Sequence, residues 1–204
     1  MNRCLVSAWL IVLSIGIIAL FWRMDLIYSL PTPVPQHYQA VNLGERIDLP
    51  ASFQISAKRS PDNKKPLFLH FFNPDCPCSK FNMAYFQSLV KTYDKQVDFA
   101  IVALTNKTYN EKDIQDRFGL KLPVLFDSAI AAACGVYSTP QAAIFSPDQQ
   151  LYYRGNYNRA RYCTDKKSNY AEIALNGILT NERNIMFSPM ALKAYGCTLP
   201  NCTK

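Results

Sequence analysis

The chain has 204 residues, of which 49% are hydrophobic and 18% charged. That is too apolar for a disordered segment and long enough for one domain plus an extra piece. The net charge of +7 comes from scattered Lys and Arg rather than a stripe, which argues against nucleic-acid binding, since phosphate recognition wants clustered cations. With only His37 and His70, the chain has no Ser–His–Asp or metalloprotease arrangement.

Residues 4–22 carry no charge and are long enough to cross a bilayer as a helix. We assign residues 1–23 as an uncleaved transmembrane anchor. A cleaved signal peptide would have a shorter apolar part and a small-x-small site, which Phe21-Trp22-Arg23-Met24-Asp25 does not supply. Arg3 and the terminal amine favour a cytoplasmic N-terminus. The rest of the chain is then expected outside, in a bacterial-type inner membrane facing the periplasm or exterior. Six of the seven cysteines lie in that oxidising space, where disulfides persist.

Pro31, Pro33 and Pro35 make 24–38 an extended spacer. Residues 39–56 read as an irregular lead-in with room for one short strand, and 60–66 as a polar turn. The apolar run 67–72 predicts a buried strand. Phe81, Tyr85, Phe86, Leu89, Val90 and Tyr93 recur at helical spacing and predict a helix over 79–93. A strand follows at 97–104. A helix follows at 110–118, capped by Asn110 and stopped by Gly119. A strand at 122–126 and an Ala-rich helix over 128–134 come next. Residues 141–145 and 151–154 flank a turn and predict a hairpin. A last helix covers 170–178, and 184–204 form a tail containing Cys197 and Cys202. This order predicts an α/β fold for 39–183: a thioredoxin-like mixed sheet flanked by helices.

Cys76 and Cys78 fall between the first strand and its helix. The unpaired N–H groups and dipole at a helix start favour thiolate, the form that attacks disulfides. Cys76, at the strand exit, is expected to be the more exposed of the two and the nucleophile. Cys78 is expected in the first helical turn. A disulfide between them would close a tight, strained and hence oxidising ring.

Phe71-Phe-Asn-Pro-Asp-Cys76-Pro-Cys78-Ser79, Gly135-Val-Tyr-Ser-Thr139-Pro140, Leu151-Tyr-Tyr-Arg-Gly155 and Gly196-Cys197 occur in an order that resembles the thioredoxin-like, redoxin group. That group includes membrane-anchored thiol–disulfide oxidoreductases and peroxiredoxin relatives. The resemblance implies a cis proline at Pro140, facing the cysteines and exposing the Thr139 backbone to a peptide. It implies protein thiols and disulfides as partners and no organic cofactor. The chain departs from the pattern in two ways. The pair is Cys-x-Cys instead of Cys-x-x-Cys. Asn73 and Leu69 stand where peroxidases of the group have Thr and Pro, which argues against a peroxide-reducing site. An alternative alignment places Asp75 at the nucleophile position and Cys78 at the second cysteine.

Cys197 has two readings: a staple to Cys202 across a turn, or a resolving thiol reaching Cys76. Cys163 is left without an assigned partner, and Cys134 reads as a core residue. Arg154, Arg159 and Arg161 read as a solvated loop, with thiolate stabilisation as the alternative, and His70 reads as a core histidine. No metal ligands are assigned. The rival functions are Cu(I) delivery through the Cys-x-Cys pair and a redox-inactive binding scaffold. Copper-delivering relatives use Cys-x-x-x-Cys and a distal His, and this chain has neither.

Overall fold

In a computed structural model, the described residues are 2–26, 29–50, 53, 64–160, 162–182 and 185–199. Helix α1 (Asn2–Phe21) runs into a π-helical turn, Trp22–Leu26, and its apolar side chains are exposed. The stretch Arg3–Met24 is long and apolar enough to cross a membrane or serve as a signal sequence.

Strand β1 (Leu67–Phe72) is buried along its whole length. Helices α2 (Pro77–Phe81) and α3 (Met83–Tyr93) follow, then β2 (Asp98–Ala103), α4 (Glu111–Phe118), β3 (Val124–Leu125) and α5 (Ser128–Ala133). Strand β4 (Ser138–Thr139) precedes the hairpin β5 (Gln141–Phe145) and β6 (Leu151–Gly155). Helix α6 (Tyr170–Leu179), the short α7 (Pro189–Leu192) and β7 (Cys197–Thr198) follow among the described residues.

The main sheet has the order β3-β2-β1-β5-β6, with β1, β2 and β3 parallel and β5 and β6 antiparallel. Parallel neighbours need crossovers, which α2–α3 and α4 supply, and these cover the sheet. The side-chain period of two splits β1 between two cores. Phe68 and Phe72 meet Phe86, Leu89, Ile114 and Phe118 on one face. Leu67, Leu69 and Phe71 meet Ile130, Ala131 and Cys134 on the other. Each of the large apolar side chains contributes about 1.5–3 kcal/mol by leaving water. This is the mixed, helix-flanked, thioredoxin-like sheet that the sequence predicts.

The elements differ from expectation in detail. The helix expected over 79–93 starts earlier, at Pro77, and is interrupted at Asn82. Helix α4 matches its signals. Asn110 and Asp113 form a reciprocal capping box, and Gly119 ends the helix in the left-handed region at φ 58°. Strand β3 is two residues long, shorter than 122–126. The lead-in contributes one isolated bridge, Arg46 to Gln150, and the expected turn at 60–66 lies largely outside the described residues.

The spacer lies on the domain. Thr32 is buried; its N–H donates to the Ala194 carbonyl at 2.8 Å and its hydroxyl to the Gly196 carbonyl at 2.6 Å. Tyr38 donates to the Gly135 carbonyl at 2.8 Å.

Candidate functional site: a three-sulfur cluster beside a cis proline

Cys76 caps α2 in extended conformation, and Pro77 begins the helix with its φ already fixed. Cys78 therefore sits in the first turn, on the inner side. The third sulfur arrives from the far end of the chain. Strand β7 pairs antiparallel with β4, so that Cys197 lies opposite Thr139 and Thr198 opposite Ser138. Gly196 permits this approach. A Cβ there would meet the Thr139 carbonyl oxygen at 2.1 Å. The Thr139–Pro140 peptide bond is cis and divides β4 from β5.

The sulfurs of Cys76, Cys78 and Cys197 all lie within 4.8 Å of one another and form a buried cluster of their own. The Cys78 and Cys197 sulfurs are 2.6 Å apart. The Cys76 sulfur is disulfide-bonded, and Cys202 lies outside the described residues.

Two expectations change here. Cys76 is not the exposed sulfur: its accessibility is 0%, against 7% for Cys78. The C-terminal tail accounts for this, since it lays Cys197 against the helix start. The Thr139 backbone edge, expected to meet an incoming peptide, pairs with the chain's own β7. Cys197, read as a staple to Cys202 or as a resolving thiol for Cys76, has its sulfur 2.6 Å from that of Cys78 and within 4.8 Å of that of Cys76, while the Cys202 end of the staple lies outside the described residues.

Asp75 precedes the cluster and turns away from it. It accepts hydrogen bonds from Thr105 at 2.9 Å, Lys107 at 2.9 Å and Tyr109 at 2.8 Å. Desolvation works to raise its pKa, but these three donors outweigh it and hold the carboxyl below its usual value. Arg117 stacks over Tyr109 and donates to the Pro74 carbonyl at 2.9 Å. The β2–α4 connection thereby clamps the loop that carries Cys76.

A groove of about 400 Å³ opens beside the cluster. Cys78, Pro140, Asn82, Asn158, Arg159 and Cys163 line it. The Cys163 thiol donates to Asn82 Oδ1 at 3.4 Å, and burial pushes its pKa up to about 12. Cys134, on the opposite face of the sheet, is likewise pushed up to about 12 by burial. Both are free thiols. Arg154 reaches Tyr38 and the Val41 carbonyl, while Arg159 borders the groove and Arg161 lies outside the described residues.

His70 is fully buried and stacks on Phe86. Its Nδ1 shares a 2.5 Å hydrogen bond with the Tyr157 hydroxyl. Desolvation lowers its pKa to about 3, so it is neutral at ordinary pH.

Sheet order, cis proline and cysteines at the first strand–helix junction define a thioredoxin-like fold. Residues 49–200 match the sequence profile of a family described as a domain of unknown function (DUF6436), and the chain belongs to that family. A search of curated proteins finds no match. Among solved structures, the fold is similar to a hypothetical protein from Sinorhizobium meliloti 1021. The TM-score is 0.60 at 17% identity, covering 81% of this chain and 97% of that one. It is also similar to an uncharacterized conserved protein from Geobacillus kaustophilus, with a TM-score of 0.57 at 17% identity, covering 77% and 93%. A looser likeness, with a TM-score of 0.39 at 19% identity over 46% of this chain and 75% of the other, is to StoA from Bacillus subtilis.

The sequence missed the β4–β7 pairing and the burial of Thr32. The available signal was Gly196-Cys197, a residue without a side chain beside a thiol.

Proposed function

We propose that this protein is a membrane-anchored, extracytoplasmic thiol–disulfide oxidoreductase acting on protein thiols and disulfides through its Cys-x-Cys site. The observation that carries the proposal is the contact between the Cys78 and Cys197 sulfurs, with Cys76 in the same cluster and Pro140 at its edge. Sulfurs so close exchange disulfides without large movement.

In this reading Cys78 is the sulfur a substrate meets, because it borders the groove. Cys197 resolves it, and a Cys78 thiolate can take over the Cys76 disulfide by attacking the Cys76 sulfur and expelling its present partner as a thiolate. A substrate thiolate attacks the Cys78 sulfur of a Cys78–Cys197 disulfide, forming a mixed disulfide and expelling the Cys197 thiolate. A second substrate thiolate then attacks its own sulfur in that mixed disulfide and expels Cys78. The substrate leaves as a disulfide, and the centre has gained two electrons and two protons. The reverse sequence reduces a substrate disulfide. Thr139 and Pro140 shape the groove, and β7 occupies the edge that a substrate strand would take. Docking by strand addition therefore requires the tail to yield. No organic cofactor enters any step.

The anchor reading rests on α1, and the outward orientation on the charge before it. With α1 in the membrane, the cluster stays near the surface. The chain from Leu26 to Thr32 spans at most about 20 Å, and Thr32 bonds to the residue preceding Cys197. Membrane-bound thiol partners are thus within reach.

The test is exchange with a model disulfide substrate by the full chain in detergent. Cys78→Ser should abolish exchange, while Cys197→Ser should accumulate a mixed disulfide on Cys78. Exchange that survives Cys78→Ser unchanged would refute the assignment.

A further inference from the structure

We propose that, once reduced, Cys76, Cys78 and Cys197 bind one Cu(I) ion through three thiolates. The proposal rests on the same sulfurs as the redox reading, but asks something different of them.

Two ligands come from a single turn. Cys76 caps α2 and Cys78 follows one residue after Pro77, so both are fixed by one rigid element. The third is fixed by the register of β7 against β4. All three sulfurs already lie within 4.8 Å of one another. With metal–sulfur bonds of about 2.3 Å, three sulfurs around one ion stand about 4 Å apart. The Cys78–Cys197 pair must therefore open from 2.6 Å, and the whole triangle needs no rebuilding.

The donor set selects the ion. Thiolates favour soft ions such as Cu(I). Zn(II) in a structural site takes four ligands, and the described cluster offers three sulfurs with no histidine or carboxylate among them. Asp75, next to Cys76 in the chain, is committed to Thr105, Lys107 and Tyr109. Burial keeps water from competing, and the Cys78 side of the cluster gives access through the groove.

Copper and disulfide exclude each other. Each disulfide at the cluster must first take two electrons and two protons from a dithiol donor, which leaves as its own disulfide. Binding of Cu(I) then releases thiol protons to solvent, and no change in copper oxidation state is involved.

The experiment titrates the full chain in detergent, reduced and oxygen-free, with Cu(I) against a coloured competing chelator. One ion per chain is expected, with at least tenfold weaker binding for Cys197→Ser and Cys78→Ser. Cys134→Ala, on the opposite face of the sheet, should bind as the parent does, and oxidised protein should bind none. Circular dichroism confirms that each variant is folded. Weak or non-stoichiometric uptake by the reduced parent would overturn the proposal. So would binding unaffected by Cys197→Ser, or a preference for Zn(II). Disulfide exchange is assayed on the metal-free sample of the same preparation. Exchange without copper binding overturns this inference alone, and copper binding without exchange overturns the redox reading alone.

Discussion

Cys197 lies opposite Thr139 in the β4–β7 pair, and its sulfur meets that of Cys78 at 2.6 Å. The end of the chain thus occupies the strand edge beside Pro140 and delivers a thiol to the helix start. In the proposed function the tail takes the edge that a substrate strand would occupy. A tail that must yield should slow access. Replacing the strand contacts by Thr198→Pro removes a ladder donor. It should speed alkylation of Cys78 in the reduced protein several-fold. An unchanged rate, measured by mass spectrometry, would show that β7 does not guard the site.

Gly196 is where the tail comes nearest to β4. An added Cβ would overlap the Thr139 carbonyl, which is backbone and cannot swing aside. Gly196→Ala should cost about 1–3 kcal/mol in stability and separate Cys197 from Cys78. Urea unfolding and the yield of Cys78–Cys197 disulfide on oxidation read the two effects. Normal stability with a normal yield would contradict the close approach.

Thiol reactivity should divide by burial. Cys163 and Cys134 are both raised to about 12 by burial, so at pH 8 only about one in ten thousand of either is thiolate. In the reduced protein both should react with iodoacetamide far more slowly than Cys78, although Cys163 borders the same groove. Fast labelling of Cys163 at pH 8 would contradict its environment.

His70 gives a signed pH dependence. Its folded pKa of about 3 lies below the ordinary value of 6.5, because burial disfavours the cation. Between these values the unfolded chain binds the proton and the folded one does not. Stability should therefore fall as pH drops from about 6.5 toward 3, by at most about 1.4 kcal/mol per pH unit from this group. His70→Asn should flatten that part of the profile whatever its effect on absolute stability. An equally steep profile in the variant would remove His70 as the cause.

The main sheet was legible because its signals are local. β1 is apolar except for His70, α3 shows helical spacing at Phe86, Leu89 and Val90, and Asn110 and Gly119 punctuate α4. The tail was not legible in this way. β4 and β7 are two residues each, too short to carry periodicity, and their pairing joins positions far apart in the chain. The same gap explains the expectation that Cys76 is exposed. A strand exit is open only if nothing covers it, and here the cover is supplied by Cys197. The break at Asn82 was likewise hidden, because the apolar pattern continues through it.

The most direct test of the central claim is a redox titration of the full chain in detergent. The protein is equilibrated with dithiol–disulfide buffers of graded potential, quenched with acid and mapped by mass spectrometry for the state of each cysteine. The account predicts a reversible two-electron transition joining Cys78 to Cys197, besides the one that opens the Cys76 disulfide, with Cys134 and Cys163 remaining thiols throughout. A Cys78 and Cys197 that stay reduced at every potential, or a transition at Cys134 or Cys163, would contradict it.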